Sequence, residues 1–189
     1  MQRPLFLTGM MGCGKTTVGR ILAETLGVPL VDLDARIERL FGQTIPELFE
    51  RGEPCFREHE RQALASLLAE PGFGGRGVVV ATGGGAVLDP DSRAAMDRVG
   101  LRVYLEVGVD ELVRRLSADD ASDRDEEGAA RPLLEGRARL RGRVAELSAA
   151  RRACYRSAAV CVDAQGDPRE VAARVALALG EGARDSEAV

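Results

Sequence analysis

The sequence predicts an α/β fold, a single three-layer domain with a central parallel sheet between helices, and three observations carry the prediction. Segments 4–8, 29–33, 78–82, 101–107 and 159–163 are short apolar runs, as expected of strands buried on both faces. Most intervals between these runs have helical periodicity, and alternating strands and helices build a parallel sheet covered on both sides. Finally, Gly9-Met10-Met11-Gly12-Cys13-Gly14-Lys15-Thr16 lies between the first run and the first helical stretch, where a tight glycine-rich turn must join them.

Each element has its own justification in chain order. Pro4-Leu5-Phe6-Leu7-Thr8 is the first strand, and after the glycines Val18, Ile21, Leu22 and Leu26 share one helical face, with Gly27 as a C-terminal stop. The G-x-x-x-x-G-K-T pattern in this strand–helix setting is a phosphate-binding loop, so the chain should bind a nucleoside triphosphate. Backbone N–H groups and the positive end of the helix dipole converge on the phosphates. Gly12, Cys13, Gly14, Lys15, Thr16 and Thr17 are the candidate ATP contacts. Lys15 would reach the β- and γ-phosphates, and the Thr16 hydroxyl would ligate Mg²⁺.

The second strand ends in Val31-Asp32-Leu33-Asp34. Alternation places both carboxylates on one side of a strand terminus, near the carboxyl edge where α/β ligands bind. One can orient the water of a metal while the other takes a proton from an acceptor hydroxyl; Asp34 also suits the N-cap of a helix over Ala35–Phe41. Thr44-Ile45-Pro46-Glu47 reads as a capping box, with Gly52 ending that short helix. A longer helix should run from about Pro54 to Glu70 with Phe56, Leu64, Leu67 and Leu68 inward. His59, the one histidine, is expected to be exposed and without chemistry.

Gly83-Gly84-Gly85 leaves the third strand, either as a plain tight turn or as a platform where backbone approaches a small ligand. The stretch from Ser117 to Gly128 contains almost nothing to bury and is expected to form a solvated, mobile loop, a lid candidate within about 117–136. Asp167-Pro168 suits a helix start, and Val171, Val175 and Leu179 form the core stripe of the last helix. The expected domain is therefore 1–179, with 180–189 a frayed, disordered tail.

Composition bounds the function. The chain has 189 residues, 45% hydrophobic and 30% charged, with a net charge of −4, so no global basic field favours nucleic acid. No apolar run reaches membrane-spanning length and no signal-peptide core opens the chain, so a cytoplasmic protein without a membrane partner is expected. Cys13, Cys55, Cys154 and Cys161 lack C-x-x-C spacing, which suits reduced, buried thiols rather than disulfides or zinc.

Taken together, Gly-Met-Met-Gly-Cys-Gly-Lys-Thr, Val-Asp-Leu-Asp, Gly-Glu-x-x-Phe-Arg-x-x-Glu, Gly-Gly-Gly, Arg-Pro-Leu-Leu and Arg-x-x-x-Tyr run in order from Gly9 to Tyr155, and the set resembles the shikimate kinase family. The resemblance implies a nucleoside-monophosphate-kinase-like P-loop domain with five parallel strands and a mobile lid. It implies transfer of the ATP γ-phosphoryl, with Mg²⁺, to the 3-hydroxyl of shikimate, a step toward chorismate and the aromatic amino acids. By the same resemblance Arg57 and Arg151 hold the substrate carboxylate, and Asp34 contacts the hydroxyls as candidate base. Gly83, Gly84 and Gly85 contact the ring substituents, and Phe49 and Phe56 wall the site. Arg131 is the lid arginine that neutralises the transferring phosphoryl and touches ATP. Asp32 supports Mg²⁺ with Thr16, and Gln165 is the candidate beside adenine. A monomer is expected. The alternatives are another small-molecule kinase of the superfamily, acting on gluconate or a nucleotide, and a nucleotide switch without catalysis.

Overall fold

A computed structural model of the protein describes residues 3–122 and 137–185. Five strands form one sheet: β1 (Leu5–Thr8), β2 (Leu30–Asp32), β3 (Val79–Ala81), β4 (Leu101–Glu106) and β5 (Val160–Asp163), in the order β2-β3-β1-β4-β5 with every neighbouring pair parallel. The helices are α1 (Lys15–Leu26), α2 (Leu33–Phe41), α3 (Ile45–Glu50), α4 (Glu53–Leu68), α5 (Pro90–Val99), α6 (Val109–Ser122), α7 (Arg137–Arg156) and α8 (Pro168–Asp185). Leu5, Phe6, Leu7, Val79, Val80, Val103 and Leu105 are all buried, which explains why β1 and β3 read as continuous apolar runs; in β4 the buried Arg102 interrupts the run, its charge paired with Asp97 at 2.6 Å.

Register sets the ends of three strands level. Leu7 pairs with Ala81 and Ala81 with Asp32, so the segments after β1, β2 and β3 leave one edge of the sheet side by side. This is the carboxyl edge, where open α/β sheets bind ligands.

Several expectations need correction. β2 stops at Asp32 rather than residue 33, because the Asp32 side chain caps α2 by accepting the N–H groups of Asp34 at 3.0 Å and Ala35 at 3.2 Å. The N-cap is therefore Asp32, and Asp34 lies in the first helical turn. Residues 117–122, expected in a loop, continue α6, and α8 passes residue 179 to reach Asp185. An established helix adds one hydrogen bond for each residue fixed, so it can extend without further apolar side chains. The remainder of the lid candidate, with Arg131, lies outside the described residues. His59 is half-buried, its ring edge-on to Phe41 at 4.5 Å. The cysteines are free but not uniformly buried: Cys13 is buried, whereas Cys161 is exposed at the edge strand β5.

Candidate active site

The phosphate-binding loop is shaped by glycine. Gly12 and Gly14 take φ of 75° and 94°, conformations that side chains with a Cβ adopt only at a cost. Gly14 is the N-cap of α1 and supplies no side-chain cap, so the first N–H groups of the helix stay open to an anion. Lys15 folds back over the loop, its Nζ donating to the carbonyls of Gly9 and Met10, each at 2.9 Å. Cys13 is buried beneath, while Thr17 is exposed in the first turn of α1.

Asp32 ties this loop to the next strand. Its Oδ2 accepts the Thr16 hydroxyl at 2.7 Å while Oδ1 caps α2. The pair offers two hard oxygen donors, and Mg²⁺ commonly uses one or two protein oxygens together with phosphate and water. Thr16 and Asp32 thus fit the ion.

Asp34 faces the cleft in front of the loop. Solvent reaches it there, but the walls displace much of its hydration. Its pKa lies above the usual carboxylate value, first from this desolvation and then from the charge of Asp32, with Lys15 and Arg57 opposing. Beside it runs the triple-glycine segment. A Cβ on Gly83 would collide with the Glu60 carboxylate, and one on Gly85 with the Arg57 guanidinium. Gly84 rests against the phosphate loop, its Cβ position 3.4 Å from the Met11 nitrogen. The segment is therefore a platform between α4 and the loop as well as a turn.

Arg57 and Arg151 are not solvated surface residues. Arg57 has only 17% of its side chain exposed and binds Glu60 at 2.7 Å and Glu53 at 2.9 Å. Arg151 is buried on α7. Phe49 and Phe56 stack with centroids 4.4 Å apart, and the Arg57 guanidinium sits 4.9 Å above the Phe56 ring. Together Met11, Asp34, Ile45, Phe49, Phe56, Arg57, Gly83, Gly84, Gly85 and Arg151 line a cavity of about 180 Å³. That is smaller than drug-sized sites of roughly 300–1,000 Å³ and suits a compact polar molecule. Two cationic groups and a carboxylate lining one cavity beside the phosphate loop can hold an anionic polyol with a hydroxyl toward the nucleotide.

Sequence reasoning gave no role to several residues here. Glu60, 2% exposed, anchors Arg57; its spacing three residues after Arg57 was the available signal. Tyr155 stacks on Tyr104 at 5.1 Å and donates to the Gly84 carbonyl, so α7 braces the glycine platform. Arg115 joins two loops by donating to the Cys13 carbonyl at 3.2 Å and the Ala164 carbonyl at 3.1 Å. No local pattern distinguishes it from Arg114. Gln165, by contrast, is exposed on the loop after β5, outside the cavity.

Comparison with known proteins adds an independent line. The family described as Shikimate kinase matches residues 11–179. A shikimate kinase of Caulobacter vibrioides is 38% identical over 176 residues, covering 93% of this chain and 80% of the relative. One from Stenotrophomonas maltophilia is 48% identical over 132 residues, covering 69% of this chain and 66% of the relative. That second match spans just under two thirds of the relative's length. A solved structure of shikimate kinase from Acinetobacter baumannii in complex with shikimate superposes with a TM-score of 0.83 at 34% identity, covering 96% of this chain and 95% of that one.

Proposed function

The chain belongs to the shikimate kinase family, and from that premise we propose that it transfers the γ-phosphoryl of ATP to the 3-hydroxyl of shikimate, giving shikimate 3-phosphate and ADP. The observation that carries the reading is the cavity itself: Arg57, Arg151 and Asp34 converge beside the phosphate loop. Shikimate is a small carboxylate with three hydroxyls. Arg57 and Arg151 take the carboxylate through charge-assisted hydrogen bonds, which are stronger than neutral ones. The stacked Phe49 and Phe56 rings wall the apolar side, and the backbone of Gly83–Gly85 receives the ring substituents.

On the donor side Gly12–Thr17 cradle the phosphates and Lys15 exchanges its two carbonyl partners for phosphate oxygens. Bound with ATP, Mg²⁺ would neutralise phosphate charge, and Thr16 and Asp32 are the residues that would hold it. Asp34 accepts or orients the acceptor hydroxyl. Its raised pKa makes it a stronger base than an ordinary carboxylate. A loose phosphoryl-transfer transition state asks chiefly for alignment and charge stabilisation, and Arg131 supplies positive charge to the transferring group. The same reading has the protein act as a cytoplasmic monomer. Among the described residues no helix is long and apolar enough to cross a membrane.

Incubation with MgATP and a panel of shikimate, gluconate and nucleoside monophosphates tests the reading. Turnover of shikimate alone is expected. Phosphorylation of a different acceptor in its place would refute it, and nucleotide binding with no acceptor turned over would favour a switch.

A further inference from the structure

The carboxylate-binding role proposed for Arg57 raises a question that its surroundings answer: what aims a long, flexible side chain at the substrate. Arg57 forms a wall between two cavities. The substrate pocket in front of it is lined by no carboxylate of α4. Behind it lies a second cavity of about 480 Å³, whose lining includes Glu53, Glu60, Arg61 and Leu88.

Glu53 therefore reaches Arg57 from the rear, while Glu60 lies beside it with its other oxygen against Gly83. Glu53 Oε1 accepts from Nε at 3.2 Å and from Nη2 at 2.9 Å, while Glu60 Oε2 accepts from Nη1 at 2.7 Å. A guanidinium carries five N–H donors. The two carboxylates use three, which leaves one on each terminal nitrogen. The missing side chain of Gly85 leaves room for the guanidinium against the backbone, and its Cζ sits 4.9 Å over the Phe56 ring. Holding the group there before substrate arrives removes rotamer entropy that binding would otherwise have to overcome.

We propose that Glu53 is a positioning residue for substrate recognition: it clamps the Nε–Nη2 edge of Arg57 from behind so that the free N–H on each terminal nitrogen faces the substrate carboxylate. Glu53 and Arg57 are spaced i, i+4 and Arg57 and Glu60 i, i+3, so one helix supplies the arginine and both of its holders. The two holders differ in kind. Glu60 is a buried part of the packing, whereas Glu53 has 43% of its side chain exposed in the first turn of α4. Its contribution can be removed without opening the core.

The test is steady-state kinetics of Glu53→Ala and Glu53→Gln with shikimate and MgATP, with thermal unfolding as a check on folding. Removing the clamp is expected to raise the KM for shikimate about 2- to 5-fold, the range for loss of a partly exposed ion pair, while kcat and the KM for MgATP hold. Glu53→Gln keeps an acceptor in the same place and should recover most of the loss. A merely structural role would lower thermal stability and leave the KM split unchanged, which overturns the proposal. A fall in the KM for shikimate also overturns it, since Glu53 would then compete with substrate for Arg57. If Glu53→Ala does not fold, Glu53→Lys takes its place, since it removes the acceptor and repels the guanidinium: a raised KM for shikimate with the KM for MgATP unchanged supports the proposal, and an unchanged or lower KM for shikimate overturns it. Should the wild-type enzyme fail to turn over shikimate, the kinase reading fails first and separately.

Discussion

At the scale of single residues the cavity combines two arginines with the Asp34 carboxylate, and substitutions should separate their roles. Arg57→Ala is expected to weaken shikimate binding about 10- to 150-fold, the worth of a charge-assisted hydrogen bond of roughly 1.5–3 kcal/mol, with nucleotide affinity unchanged. Titration of each ligand by fluorescence or calorimetry checks both halves. Asp34→Asn should abolish most turnover while nucleotide still binds, because the phosphate loop is untouched. The same variant carries a stability signature. Asp34 has a raised pKa in the folded state, so its charge is a cost above that pKa and the cost disappears as pH falls and the carboxyl protonates. Asp34→Asn should therefore be at least as stable as wild type near neutrality, with any advantage shrinking toward acid pH. In activity the sign is reversed. The acid limb of kcat/KM should lie above the ordinary aspartate value of 3.8 and be lost from the residual activity of Asp34→Asn. Normal turnover by this variant would remove Asp34 from the mechanism.

At the scale of elements, the helix starts do more than end strands. Asp32 both caps α2 and receives the Thr16 hydroxyl, so Asp32→Ala conflates two losses. Asp32→Ser separates them: serine remains a good N-cap, so most of the roughly 1 kcal/mol of capping energy should persist, while the concentration of Mg²⁺ needed for activity should rise. Equal Mg²⁺ dependence in wild type and Asp32→Ser would exclude Asp32 from the metal's surroundings. α3 provides a control remote from the nucleotide. Its Thr44 hydroxyl and Glu47 carboxylate form a reciprocal capping box, so Thr44→Ala should cost about 1 kcal/mol in chemical denaturation. α4 is the most concentrated element, since one helix carries Phe56 for the wall, Arg57 for the substrate and Glu53 and Glu60 for its support. The capping box was legible because its parts are three residues apart. The shared duty of Asp32 was not, because Thr16 lies on a different element.

At the scale of the whole molecule, binding energy and stability are linked. Saturating MgADP at a hundred times its Kd should raise folding stability by about 2.7 kcal/mol, and shikimate should add to this in wild type but add little in Arg57→Ala. A shift with shikimate of the same size in both proteins would place the carboxylate elsewhere. The sequence by itself determined the strands, most helices and the phosphate loop, because each depends on spacing within a dozen neighbouring residues: glycines for a tight turn, apolar periodicity for a buried face, a polar cap before a helix. It also contained every motif of the acceptor side, although no local pattern separates Arg57 or Arg151 from an arginine on a solvated helix face. Only the tertiary structure decided that these groups meet. The order β2-β3-β1 sets Asp32, Ala81 and Leu7 level, and that places Asp34, the glycine platform and the phosphate loop at one edge, with Glu60 and Tyr155 bracing the platform from two helices. Strand order and burial arise from contacts between residues far apart in the chain, and local spacing carries no record of such contacts.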